Sequence, residues 1–284
     1  MAAALALAAS NAGRRVLLIS VDGKADLAEF LEVAPLTAEP VECRSGLWAM
    51  LLDTEDALRE YIQLQLKIPM LARIGPLTKI FDYVATAAPG VREVLTVGKI
   101  LYEVREAKWD LVVVDGVASG HIIGQLGASQ AINDLVHVGL IRSQTEWMIE
   151  LLTDRTVTGA VVVATPEEMP VSETLELARR LRDETPVELT AVVANRVLPE
   201  LFGEREEALF EALAARASGP SETVMRGARL AVDLRRNRAR HLDRLTAELD
   251  PPAPVYFVPY LFIRTHGLRA TRQVAEALIA EMGE

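Results

Sequence analysis

The sequence predicts an α/β fold organised around a doubly wound parallel sheet. Three observations carry that prediction. Short, nearly continuous apolar runs recur, such as Val16–Val21, Leu111–Asp115 and Gly159–Thr165. They are rich in valine and isoleucine, as strands covered on both faces are. Helical patterns lie between them, among them Ser172–Asp183 and Leu268–Met282. Strand alternating with helix means crossover connections and parallel pairing.

Two more runs extend the series. Leu189–Asn195 has the same composition, and Val255–Pro259 follows the turn-rich stretch Asp250–Val255. Before the first strand, Ala2–Ala9 reads as a helix closed by Gly13. Its apolar character superficially suggests a signal peptide. No positive charge precedes it, however, and Arg14 and Arg15 follow it, so a helix of the folded domain is the better reading.

Two stretches break the rhythm. Residues 38–108 read as helical, punctuated by Pro69, Pro76 and Pro89-Gly90. Residues 203–248 form a second helical block containing Arg229, Arg235, Arg236, Arg238 and Arg240. We expect a core of 1–37, 109–202 and 249–284, with 38–108 and 203–248 forming one helical subdomain. Glu222, Asp233 and Asp243 lie within or near the arginine run, so a solvated helix with internal ion pairs is expected there.

The 284 residues carry a formal net charge of −10, with one cysteine and four histidines. An acidic surface argues against non-specific nucleic-acid binding. A lone Cys43 forms no internal disulfide, and a structural zinc site needs about four ligands. A cytoplasmic location is the natural expectation. Trp48, Met50 and Met70 could line a groove for a client helix, but packing in the subdomain core is the stronger expectation.

In doubly wound folds, ligands bind at the carboxyl ends of the strands. The first strand ends in Ser20-Val21-Asp22-Gly23-Lys24. Asp22 could orient a water or simply cap the next helix. The second ends in Asp115-Gly116-Val117-Ala118-Ser119-Gly120-His121. A carboxylate there can reach a hydrated Mg²⁺, and the glycines would admit a phosphate closely. An ordinary strand-to-loop turn is the alternative. The fourth ends in Asn195-Arg196-Val197-Leu198-Pro199. An Asn amide can donate to and accept from an adenine edge, or it can shape a turn. Pro259 closes the fifth and could lie near a base.

In order along the chain, these segments resemble the arsenical pump-driving and tail-anchored-protein-targeting ATPases, a branch of the SIMIBI P-loop NTPases. Leu111–His121 resembles that family's second switch, D-x-x-P-T-G-H. Ser20–Asp22 resembles its first switch, Val193–Pro199 its adenine-contacting strand end, and Val258–Leu268 its last strand and loop. Segments such as Ala88–Ile100 and Gly139–Gln144 are most similar to actinobacterial arsenite-pump-like members.

The resemblance implies an ATP- and Mg²⁺-dependent hydrolytic switch that works as a homodimer or beside a paralogous ATPase, with a membrane protein or other protein as possible client. It implies that Asp22 positions the attacking water and that Asp115 holds Mg²⁺ through water. Gly120 and His121 would sense the γ-phosphate. Asn195 would recognise adenine, with Arg196 in the same motif and Pro259 beside the base.

The sequence also departs from the family. No G-x-x-x-x-G-K-S/T run occurs in it. That loop would supply the backbone cradle, the lysine and the Mg²⁺-binding hydroxyl. The strand before the loop is absent too. Losing such a buried strand would remove on the order of 10 kcal/mol of apolar burial, comparable with a domain's whole stability. We therefore expect the native protein to extend upstream of Met1, and the chain without the loop to be inactive.

Ala118 and Ser119 replace the switch's Pro and Thr, and the family's paired zinc-binding and arsenite-binding cysteines are missing. A non-catalytic subunit paired with an intact paralogue, and a ParA/MinD-type positioning ATPase, are the alternative readings.

Overall fold

The computed structural model describes residues 1–21, 26–52, 90–117, 119–135, 140–200, 202–262 and 267–283. The strands are divided between two sheets, one ordered β2-β3-β1-β4 and the other β5-β6-β7. The chain forms two compact units.

The first unit comprises Met1–Ala160, Arg180–Leu189 and Ile263–Glu284. Its central strand is β1 (Val16–Ser20). β1 pairs in parallel with β3 (Leu47–Leu51) and β4 (Leu111–Asp115), while β2 (Val41–Arg44) runs antiparallel on β3. Alternation along β1 sends its side chains to opposite faces. On one face Val16 and Leu18 pack with α1 (Ala2–Asn11) through Ala3, Ala6 and Leu7, and with Leu27 and Leu31 of α2 (Asp26–Leu31). On the other, Leu17 and Ile19 pack with Met50, Leu52, Trp109 and Ile100, the last from α3 (Val91–Arg105). The sheet is therefore covered on both sides, which is why β1 reads as an unbroken apolar run.

α4 (Ser119–Leu135) and α5 (Leu140–Thr153) stack beside α3. Val97, Leu101, Met148, Leu152 and Val187 form the core of that layer. The last helix, α9 (Leu268–Met282), lies along α1 and α2. Glu32 Oε1 accepts the N–H of Leu268 at 3.1 Å, satisfying one of the free donors at the start of α9.

The second unit comprises Val161–Arg179 and Thr190–Phe262. It contains most of β5 (Ala160–Ala164) and β6 (Leu189–Val197), and all of β7 (Val255–Pro259), which pairs in parallel with β6. α6 (Glu168–Glu184) follows β5. α7 (Glu204–Ala214) and the long α8 (Pro220–Glu248) fill the connection between β6 and β7. Pro220 opens α8 in the first turn, where its missing N–H costs nothing.

Three expectations need correction. Residues 41–51 were expected to open a helical block, but they form the β2–β3 hairpin, closed at Ser45-Gly46. Gly46 has φ +79°, a conformation that glycine adopts without strain. α6 begins at Glu168, ahead of the expected Ser172, because Pro170 is tolerated within a first helical turn. The ion pairs of α8 are only partly internal: Arg244 pairs with Glu248 at 3.2 Å, but Arg238 reaches Glu167 at 2.8 Å and Arg229 reaches Glu211 of α7.

Met50 is fully buried, and Trp48 stacks at a tilt on Trp109, with centroids 5.1 Å apart, so both serve the core. Met70 lies outside the described residues.

Candidate functional site: the strand ends

Parallel pairing in the first unit brings the carboxyl ends of three strands to one edge. Ser20 of β1 stands opposite Leu51 of β3 and Asp115 of β4. Beyond the ladder, Val21 donates its N–H to the Asp115 carbonyl at 3.3 Å, and Leu52 donates to the Ser20 carbonyl at 2.7 Å. Asp22, the next residue after Val21, lies outside the described residues.

Asp115 is exposed at its strand tip. Four residues on, at Ser119, the chain enters α4, which carries Gly120 and an exposed His121 in its first turn. The glycines there differ. A Cβ on Gly116 would meet Ile122 Cδ1 at 3.3 Å, so Gly116 lets the strand end lie close against α4. A Cβ on Gly120 would meet nothing within 4 Å. Packing against the described residues therefore does not require glycine at Gly120.

The amino end of α1 reaches the same edge. Burial pushes the Met1 α-amino group below its ordinary pKa, and the Asp115 carboxylate pulls it the other way. No side chain caps α1, so N–H groups of its first turn are left without an intrahelical partner. This is the electrostatic environment that suits an anion or a hydrated cation–anion pair.

In the second unit, the ladder places Val197 of β6 opposite Pro259 of β7. The register slips between Ala194 and Val197, giving β6 one residue more than β7 over that interval. Arg196 occupies the slip with φ +61°, and Asn195 Oδ1 accepts the Arg196 N–H at 3.0 Å. One lone pair of that amide is therefore held by its own turn, and its NH₂ group remains free to donate. Tyr260 donates its N–H to the Val197 carbonyl at 2.8 Å.

Asn195, Arg196 and Pro259 are thus neighbours, as Asp115, Gly120 and His121 are in the first unit. Sequence reasoning missed the tilted pair Tyr260–Phe262, with centroids 4.8 Å apart and both rings exposed. Its signal was the aromatic spacing in Pro259-Tyr260-Leu261-Phe262.

Cys43 is half-buried, and burial raises its thiol pKa. That holds it in the neutral thiol form, a poor metalloid ligand.

A sequence profile of the family described as anion-transporting ATPase matches residues 1–145 and 137–217. The chain belongs to that family. The ATPase BagA of Mycobacterium tuberculosis and a putative ATPase of Mycobacterium bovis are each 32% identical to it over 211 residues. Each alignment covers 70% of this chain and 61% of the relative. A putative arsenical pump-driving ATPase of Halobacterium salinarum is 27% identical over 233 residues, covering 74% of this chain and 35% of that protein. The chain thus spans less than two thirds of the length of these relatives.

Each unit's strand ends carry groups of their own chemistry. Asp115 suits a hydrated Mg²⁺, and Asn195 with Pro259 suits a base edge. The sequence has no lysine-bearing glycine loop for the phosphates.

Proposed function

We propose that this protein is an ATP-hydrolysing switch whose phosphate cradle is supplied from outside these 284 residues. The carrying observation is the paired tips of β1 and β4, with Asp115 beside the first turn of α4 and the amino end of α1. Bound Mg·ATP would supply the scissile γ-phosphate and its metal.

The chain's own residues would do the rest. Asp115 orients waters of the metal through its carboxylate. Asp22 accepts a hydrogen bond from the attacking water and aligns it. Gly120 and His121, at the start of α4, reposition that helix as the phosphate end is filled or emptied. Asn195 donates its NH₂ to a ring nitrogen of adenine, with Arg196 and Pro259 alongside. Pairing with a second copy or a paralogue, a protein client and a cytoplasmic location complete the proposal. No described helix is long and apolar enough to cross a membrane.

The sheet edges support an external cradle. Among the described residues β4 is a terminal strand of its sheet, yet Val114 is 38% exposed. Valine-rich strands of a parallel sheet are ordinarily covered and paired. A further apolar strand beside β4, leading into a glycine loop at the start of α1, would cover that edge.

The test uses the protein with such a loop in place. Asp22→Asn should abolish ATP turnover while leaving ATP affinity within about threefold. Unchanged turnover removes Asp22 from the mechanism. Turnover without any dependence on Mg²⁺ removes the switch reading as a whole.

A further inference from the structure

We infer that a hollow between α8 and the ends of β6 and β7 binds a small monocarboxylate with an apolar body. The site lies wholly within the second unit, and its floor adjoins the β6–β7 end that carries Asn195 and Pro259. Its volume is about 290 Å³. Val197 and Phe257 form its floor, and Arg235, Ala239, Leu242, Asp243 and Thr246 come from α8. Their spacing along α8 puts them on one helix face. Four of the seven lining residues are apolar, the composition of a small-molecule site that uses few polar groups for orientation.

Arg235 is the cation in this lining, and its Nε–H is buried without a hydrogen-bond acceptor. Other arginines of the same helix have partners: Arg229 with Glu211, Arg244 with Glu248 and Ser172, and Arg238 with Glu167. The Arg238 Nε is likewise unpartnered among the described residues, but it lies outside the hollow's lining. A guanidinium donor withdrawn from water calls for a charged oxygen, and a carboxylate matches its planar fork.

Asp243 sets the charge of the ligand. With one cation and one anion in the lining, a monoanion is accommodated and a dianion is repelled. The Thr246 hydroxyl lies within reach of the Leu242 and Asp243 carbonyls, at 3.1 and 3.0 Å. Its proton is thus committed inside the helix, and it does not compete for the carboxylate. The apolar body of the acid would lie against Val197, Leu242 and Phe257.

The test titrates hexanoate into the 284-residue chain by isothermal calorimetry, with acetate and inorganic phosphate at matched ionic strength. Hexanoate should bind saturably at one site, at least tenfold more tightly than either control. Arg235→Met should weaken it at least tenfold. Because that change removes a partly buried cation, two further variants guard the result. Ala239→Leu, which fills the hollow, should also abolish binding. Asp243→Asn, at an exposed position, should raise phosphate affinity at least fivefold. Non-saturable hexanoate uptake, equal binding of phosphate and hexanoate by the parent chain, or unchanged binding in both Arg235→Met and Ala239→Leu overturns the proposal.

Discussion

Glu103 is buried on α3 and accepts hydrogen bonds from Lys99 Nζ at 3.0 Å and from the Trp109 indole at 3.2 Å. Lys99 is itself mostly buried, its side chain 14% exposed. Deleting one partner of a buried pair strands the other charge. Glu103→Ala should therefore cost about 3 kcal/mol, read by urea denaturation, and Glu103→Gln less, because it keeps an acceptor for Trp109.

The exposed pair Arg15–Asp110 behaves differently. The Arg15 guanidinium and N–H hold the Asp110 carboxyl at about 2, below its ordinary value. A lowered carboxyl pKa adds stability above the unfolded value and loses it as pH falls through the folded value. The stability difference between parent and Asp110→Asn should be constant above about pH 5. It should shrink between about pH 4 and pH 2, as followed by denaturation at successive pH values. A difference that grows on acidification would contradict the pairing. None of this was legible in sequence. Nothing in the sequence ties Asp110 to Arg15, 95 residues away, and Arg235 is one arginine in a run.

At the scale of elements, the legible parts were those with one dominant signal. β1, β4 and β7 were found within a residue or so, because each is a short apolar run with almost no polar interruption, although only β1 is buried throughout. The hairpin was lost because β2 is mostly exposed and carries Glu42 and Arg44, while β3 is a solid apolar run that fits a helix core equally well. Ser45-Gly46 was the overlooked turn signal. Gly46→Ala tests the correction. A Cβ there would approach the Arg14 carbonyl oxygen at 3.2 Å, from a backbone with φ +79°. The substitution should cost about 1–2 kcal/mol, measured by chemical denaturation. A neutral result would mean that the turn does not hold this conformation. That Ser20 and Asp115 end side by side was legible, because parallel strands of a doubly wound sheet bring their carboxyl ends to one edge. The β6 slip at Arg196 was not, since no sequence rule distinguishes it from a plain strand end.

At the scale of the molecule, the proposed nucleotide switch is tested by linkage between ligand and stability. A ligand that binds only the folded state stabilises it by RT ln(1 + [L]/Kd), about 2.7 kcal/mol at a hundredfold excess over Kd. For a chain of this size that raises the melting temperature by roughly 5–10 °C. In the proposed reading Asp115 and Asn195 serve the metal and the base, while the sequence has no G-x-x-x-x-G-K-S/T loop for the triphosphate, which carries most of the charge to be neutralised. Millimolar Mg·ATP should therefore leave the melting temperature of the 284-residue chain unchanged. A version extended at its amino end by a strand and a G-x-x-x-x-G-K-S/T loop should show the full shift. In that version Asp115→Asn should remove the part of the shift that depends on Mg²⁺ while preserving the part seen in EDTA, since the carboxylate acts through the hydrated metal. A saturable shift in the unextended chain would place the phosphate-binding groups among the residues described above, and the external cradle would have to be abandoned.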